Sequence, residues 1–421
     1  MTDVTEAQEN DTEQAADTRS VWNAPFVLIS LAFMMSGGFN VVFGPAKQDI
    51  ATDLGTSMDQ VVGTRTATAL LSALIVIPAA MLVSRLTPGA LAWIGTLLLG
   101  LGAVVSGVSP DLLVFYVGSV LSSLGAVLAV PLVGQIGRDM LSTKTFVVAI
   151  TIVVVVGRVI QAGSLTTTGL VYETIGWRPL YIGWGVALLP VSVLLWKFIK
   201  PTKPADDVAS IKKTLLVLGG LLKQPLVWVC GLSFGMTMST VGKFGFVWNI
   251  DLQTSLGWDV KDANLLALMF VSGVIVGGYL VTLISKWIGQ FPAILISVGS
   301  GAIVFSVCVF LTSSLRELWV SIPMLFFVGL TLGGGTMIQP YIAKFFDKSK
   351  SAMFFGLTAA IYLAVSGLTV SLPLLSLPDD PTWTVGQVRH ALVPYAVLIA
   401  VGIVLFASTR FFRKPVRTET S

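Results

Sequence analysis

An all-helical bundle embedded in a membrane is the fold class this sequence predicts, and three observations predict it. Of 421 residues, 54% are hydrophobic and only 11% charged, with a mean hydropathy of +0.86; a soluble chain of average usage carries roughly 25% charged residues. Apolar runs recur from end to end, each long enough for a bilayer core that takes roughly 20 apolar residues per helix. Lysine and arginine gather on alternate polar breaks. In lipid the backbone must satisfy its own hydrogen bonds, so runs of this length form helices; a barrel would show short alternating segments instead.

Residues 1–22 open with MTDVTEAQENDTEQAADTRS, which is acidic and free of aromatics, the composition of a disordered tail. It lacks the basic start and apolar centre of a secretory signal, so no cleavage is expected. The first run opens near Pro25 and ends in FNVVFGPAKQDIATDLGTS, the second opens near Val61, and the turn AAMLVSRLTPGAL leads to a third near Ala90. The fourth and fifth open near Leu112 and Phe146, and GLVYETIGWRPLYIG joins the fifth to a sixth near Pro179. These six fill residues 23–199. The longest internal break, KPTKPADDVASIKKTLLVLGGLLKQP, is basic with a mixed amphipathic run; it reads as a cytoplasmic linker over 200–224 with a short interfacial helix. Six further runs open near Leu226, Leu265, Pro292, Leu318, Ala352 and Ala391, filling 225–410 ahead of a basic tail at 411–421. The expected total is twelve transmembrane helices.

With the amino terminus in the cytoplasm, eighteen of the 26 lysines and arginines fall on the cytoplasmic side. The positive-inside rule therefore places both termini in the cytoplasm of a multi-pass protein of the cell inner (plasma) membrane. It also accounts for the pI near 9.0 without nucleic acid. The two six-helix halves echo each other: SRLTPGAL from Ser84 aligns with KWIGQFPA from Lys286, and GGFNVVFG from Gly37 with GKFGFVWN from Gly242. Gly125, Pro131 and Asp139 likewise mirror Gly334, Pro340 and Asp347. Such weak duplication marks repeated, pseudo-symmetric halves.

Cys230 and Cys308 lie inside apolar runs, and with His390 as the lone histidine they make neither a disulfide framework nor a metal-ligand cluster. No phosphate-binding loop, acid pair or nucleophile–base set is present, so no cofactor and no enzymatic activity is expected.

Intramembrane charge is the sharpest clue. Arg158, in TIVVVVGRVIQAGS, falls near the middle of the fifth run. Gly157, Arg158, Gln161, Ser164, Thr168 and Tyr172 share roughly one third of the helix circumference. A charge at the bilayer centre costs about 2.5 kcal/mol or more and normally faces the bundle interior. Lys243 stands seven residues, about 10 Å, inside the expected outer end of the seventh helix, with Thr240, Ser239 and Met236 on its face. Arg65 lies a turn or so inside the second helix; it serves either a substrate or a surface pairing with Asp49 or Asp53. On the first helix Ser36, Asn40, Gly44 and Lys47 form one polar stripe, with Lys47 expected at the surface. Gln135, Gln339 and Tyr341 are further candidates, although amides between membrane helices also serve as packing glue. No Asp or Glu is placed near the midplane. Uncompensated cations in a cavity attract an anion, and arginine adds a fork suited to carboxylate or phosphate.

After its tail the chain resembles the major facilitator superfamily. The resemblance rests on FNVVFGPAKQDIATDLGTS, AAMLVSRLTPGAL, GLVYETIGWRPLYIG and the 6+6 plan with a basic central loop. It implies a monomeric secondary or facilitative transporter working by alternating access, with a latch at the helix 2–3 turn. There Ser84 stands where the family has an aspartate, Arg85 matches its arginine, and Lys286 takes the acidic place in the second half. Proton-driven drug exporters of the superfamily carry an arginine where this chain has Leu121, and a fifth-helix signature from which Gln161, Ala162, Leu165 and Thr166 depart.

The expected function is therefore transport of a small, anionic solute, coupled to a proton or to an exchanged anion. The alternative is a proton-coupled multidrug or metabolite efflux pump. A non-transporting sensor or scaffold stands third.

Overall fold

A computed structural model describes residues 27, 28, 30–32, 35, 41–83, 88–140, 160, 163, 164, 168, 170–172, 174–198, 211–311, 317–346, 348–378 and 383–412. Twelve helical elements follow in chain order. They are α1 (Phe43–Asp53), α2 (Met58–Val83), α3 (Pro88–Gly107), α4 (Leu112–Met140), α5 (Trp177–Phe198), α6 (Ile211–Leu222), α7 (Pro225–Ser255), α8 (Val260–Ile288), α9 (Gln290–Leu311), α10 (Leu318–Ala343), α11 (Lys348–Val370) and α12 (Val385–Ser408). Because the expected fifth span lies largely outside the described residues, α5 is the sixth run of the sequence and α6 falls in the linker. Nine helices among the described residues are long and apolar enough to cross a membrane, and α4 adds the shorter apolar stretch Leu112–Leu128.

Local chemistry sets several helix starts. Asp259 accepts a hydrogen bond from the Asp262 backbone N–H at 2.7 Å and caps α8, satisfying a donor the helix itself cannot. Thr384 and Gln387 cap α12 reciprocally. Pro225 occupies the first turn of α7, where its missing N–H costs nothing. The α7 helix is not uniform. Residues Phe244–Trp248 form a π-turn between the α segments Pro225–Lys243 and Asn249–Ser255. In α10, Gly333–Met337 tightens into a 3₁₀ turn.

Two cores result. In the first half, α3 packs on α4 and α5, and Phe115, Trp177 and Tyr181 meet in a buried aromatic cluster with centroids 5.8–6.0 Å apart. In the second, α8 packs on α10 while α7 packs on α11 and α12; Phe244 meets Phe270 and Phe305 edge to face at 5.5 and 4.9 Å. Between the halves α2 lies along α11, and α1 lies against the π-turn of α7. We call the ends of α1, α7 and α11 beside the α1–α2 turn the distal face.

The α8–α10 contact depends on absent side chains. A Cβ on Gly273 or Gly277 of α8 would collide with the backbone oxygens of Phe326 or Leu330, and one on Gly329 of α10 with that of Phe270. Gly273 and Gly277 form the small-xxx-small spacing that lets membrane helices approach closely. Gly277→Val is therefore expected to destabilise the protein by about 1–3 kcal/mol, as overpacking does. Gly299→Val, on open space in α9, should stay within about 0.5 kcal/mol. Melting of both variants in detergent checks this.

Candidate functional site

Two helices from opposite halves carry buried polar faces where lipid would be expected to impose apolar ones. On α2 these are Thr64, Thr68 and Ser72; on α7 they are Ser233, Thr237, Ser239 and Thr240. Some of these short hydroxyls bond back to their own helix, as Thr64 does to the Val61 carbonyl at 2.7 Å and Thr240 to that of Met236 at 2.9 Å, while Ser233 donates to the Gly402 carbonyl of α12 at 2.7 Å. Each face ends in a cation. On α2 it is Arg65; on α7 it is Lys243, the last residue before the π-turn.

Arg65 is held from two sides. Its Nη2 donates to the Tyr181 hydroxyl of α5 at 2.8 Å, and its guanidinium lies 4.4 Å from the centroid of the Phe43 ring of α1. Tyr181 is fully buried and clamped by Phe115 and Trp177, so it fixes the guanidinium in place. The acids Asp49 and Asp53, weighed above as partners for Arg65, are engaged elsewhere. Asp49 accepts from the Tyr172 hydroxyl, and Asp53 accepts from Trp177 Nε1 at 2.9 Å and lies 3.6 Å from Arg178 Nε.

Burial is the larger influence on Lys243, and the charge of Arg65 from the other half acts on it as well. Lys243 is half-buried, and among the described residues none forms a hydrogen bond or ion pair with it. The helix itself runs further than the sequence suggests: α7 continues to Ser255, so its end lies about 18 Å beyond Lys243 at 1.5 Å per residue.

A second correction concerns Lys47. Expected at the surface, it is 3% exposed, and its Nζ lies 2.8 Å from both Asp251 carboxylate oxygens and donates to the Gly44 carbonyl at 3.0 Å. Nζ also lies 5.3 Å from the centroid of the Trp248 ring. Asp251, on the segment of α7 beyond the π-turn, is the acid that sequence reasoning missed. Its only signal was its place in NIDLQTS, which reads as a helix end. A cavity of about 300 Å³ is lined by Lys47, Asp251, Gln48, Met58, Ile250 and Trp383 among others.

The remaining candidates scatter. Gln339 donates to Thr358 Oγ1 of α11 at 2.6 Å, which is packing glue between α10 and α11. Tyr341 is packed among Phe291, Phe345 and Phe406 at 5.5–6.2 Å, inside the second half. Lys286 is exposed on the last turn of α8. Arg158, Gln161, Asn40, Ser84 and Arg85 lie outside the described residues, as does the Gln135 side chain, whose backbone belongs to α4. Among the described residues no group of His, Cys, Asp and Glu could hold a metal.

Comparison with known proteins gives this arrangement its context. A search of curated proteins gave no match. The structure is similar to that of a bacterial homologue of the human lysosomal transporter Spinster, inward-facing and unoccupied, with a TM-score of 0.68 and 14% identity over 95% of this chain and 100% of that one. It is similar also to a D-xylose–proton symporter, with a TM-score of 0.71 and 15% identity over 96% of this chain and 100% of that one. The family profile described as Major Facilitator Superfamily matches residues 28–370. The protein is thus a multi-pass membrane transporter rather than an enzyme, and the chain belongs to the Major Facilitator Superfamily.

Proposed function

We propose that this chain carries a small anion by alternating access, gripping its negative charge between the two halves. One observation carries the reading: Lys243, half-buried within α7, has no hydrogen-bond or ion-pair partner among the described residues, and the cation Arg65 belongs to the other half. A lone ammonium away from bulk water is costly, and a second cation nearby adds to that cost. An anion between the halves reverses both effects, and Arg65, pre-set by Tyr181 and Phe43, gives it a planar fork. Arg158, from the fifth run, is proposed as a third cation of the same site. A hydrophobic cation would meet repulsion here, which favours the anion carrier over the drug exporter.

Transport then proceeds by rocking the two halves around the site. A coupling proton and an exchanged second anion are both compatible with it. We place both termini in the cytoplasm on the strength of the asymmetric distribution of basic residues, and propose a monomer in the cell inner membrane.

Two outcomes are expected. In thermal-shift titrations of the purified protein, one class of small carboxylate or phosphate anion should stabilise it, by about 2.7 kcal/mol at one hundred times its Kd. Lys243→Gln and Arg158→Gln should each abolish that shift. Stabilisation by lipophilic cations that survives both substitutions would overturn the reading. Without ligand, Lys243→Met should instead melt higher than the parent, on the order of 2–4 °C per kcal/mol recovered, because it removes an unpaired charge. A lower melting point would show that Lys243 is structural.

A further inference from the structure

The Lys47–Asp251 pair has a role distinct from that of the cation site. Lys47 belongs to α1 in the first half and Asp251 to α7 in the second, and 204 residues separate them in the chain. Lys47 Nζ donates to Asp251 Oδ1 at 2.8 Å and lies 2.8 Å from Oδ2, and it donates also to the Gly44 carbonyl. The pair is buried on the lysine side at 3% and nearly so on the acid side at 17%. Around it the two helices touch backbone to backbone, since a Cβ on Gly44 would collide with the Phe246 oxygen of the π-turn. On the same face α2 and α11 meet through Thr66 and Ser371, whose hydroxyls lie 2.6 Å apart. A pair wholly within one half would ride with it as a rigid element. A pair across the halves has to break whenever the distal face opens.

We propose that Lys47 and Asp251 form the latch of the distal gate, made when that face is closed and broken when it opens. The inference rests on the alternating-access reading above. In the closed state each charge offsets the other's desolvation; in the open state water replaces the partner, so the two states stay close in free energy. Removing one charge unbalances them, because the closed state then buries an uncompensated ion while the open state hydrates it. The latch lies eight residues from Lys243 on the same helix, with the π-turn between them. Single π-turns inside helices recur at functional sites, and this one places a locally irregular segment between the proposed cation site and the latch.

The test uses the full chain in nanodiscs, where both faces are reachable, with Cys230→Ala and Cys308→Ala to remove native thiols. Ile250→Cys is the reporter, since Ile250 is 4% exposed and lies against the α1–α7 contact. The readout is its labelling rate with a bulky, membrane-impermeant maleimide. Asp251→Asn should raise the rate about tenfold or more, as loss of one partner of a buried pair implies. The exchange Lys47→Asp with Asp251→Lys should return it toward the parent rate. An exchange variant that labels as fast as Asp251→Asn would overturn the latch, because the pairing would then not be what holds the face shut. Gly367→Trp serves as a wedge, since even a Cβ there would stand 2.9 Å from the Ala69 Cβ and 3.0 Å from the Thr66 oxygen across the α2–α11 contact. Faster labelling with the wedge but not with Asp251→Asn would refute the latch while leaving the rocking of the halves intact. No change with either would refute both.

Discussion

A lysine that no described residue neutralises, set deep in a membrane helix, is the constraint on which this account turns. Charge in low dielectric is costly unless it is paired, hydrated or put to use. Lys47 meets that requirement through Asp251, and Arg178 through Asp53 and the carbonyls of Gly107 and Ser109. Lys243 meets it through no described group. In the proposed cycle, a site of this sign between the halves is complementary to an anion that both halves share.

The rest of the bundle makes that approach possible. Buried hydroxyls on α2 and α7 add polarity without charge: Thr64 and Thr240 bond to their own helices, and Ser233 donates to the Gly402 carbonyl of α12 within the second half. The aromatic clamp of Phe115, Trp177 and Tyr181 belongs entirely to the first half, so Arg65 moves with that half as one piece. The glycine contacts of α8 and α10, and the edge-to-face packing of Phe244 with Phe270 and Phe305, tie the second half together similarly. The proposed rocking therefore takes place at the surfaces between the halves, where α1 meets α7 and α2 meets α11.

Helix placement was legible in the sequence because span length and polar breaks fix it. The turn KWIGQFPA was expected to end one helix and open the next, and α8 ends at Ile288 with α9 starting at Gln290. Arg65 and Lys243 were legible as intramembrane charges for the same reason. The π-turn was not, since adding one residue to a turn leaves composition and mean hydropathy untouched. Neither was the fate of Lys47. In a polar break beside the aspartates of QDIATD it reads as a surface residue, and only the packing of α1 on α7 shows that its partner is Asp251. For Gln339 and Tyr341 the sequence signals a need for partners without saying which side supplies them; the structure places Gln339 against Thr358 and Tyr341 against Phe291 and Phe406.

Charge movement in reconstituted vesicles tests the central claim most directly. Wild-type protein and Lys243→Gln would be adsorbed on a solid-supported membrane and exposed to rapid jumps of carboxylates, phosphates, neutral sugars and lipophilic cations, with transient currents recorded. The account predicts a saturable displacement of negative charge with one class of anion, absent in Lys243→Gln. Currents evoked by sugars or lipophilic cations alone, equal in the two proteins, would contradict it.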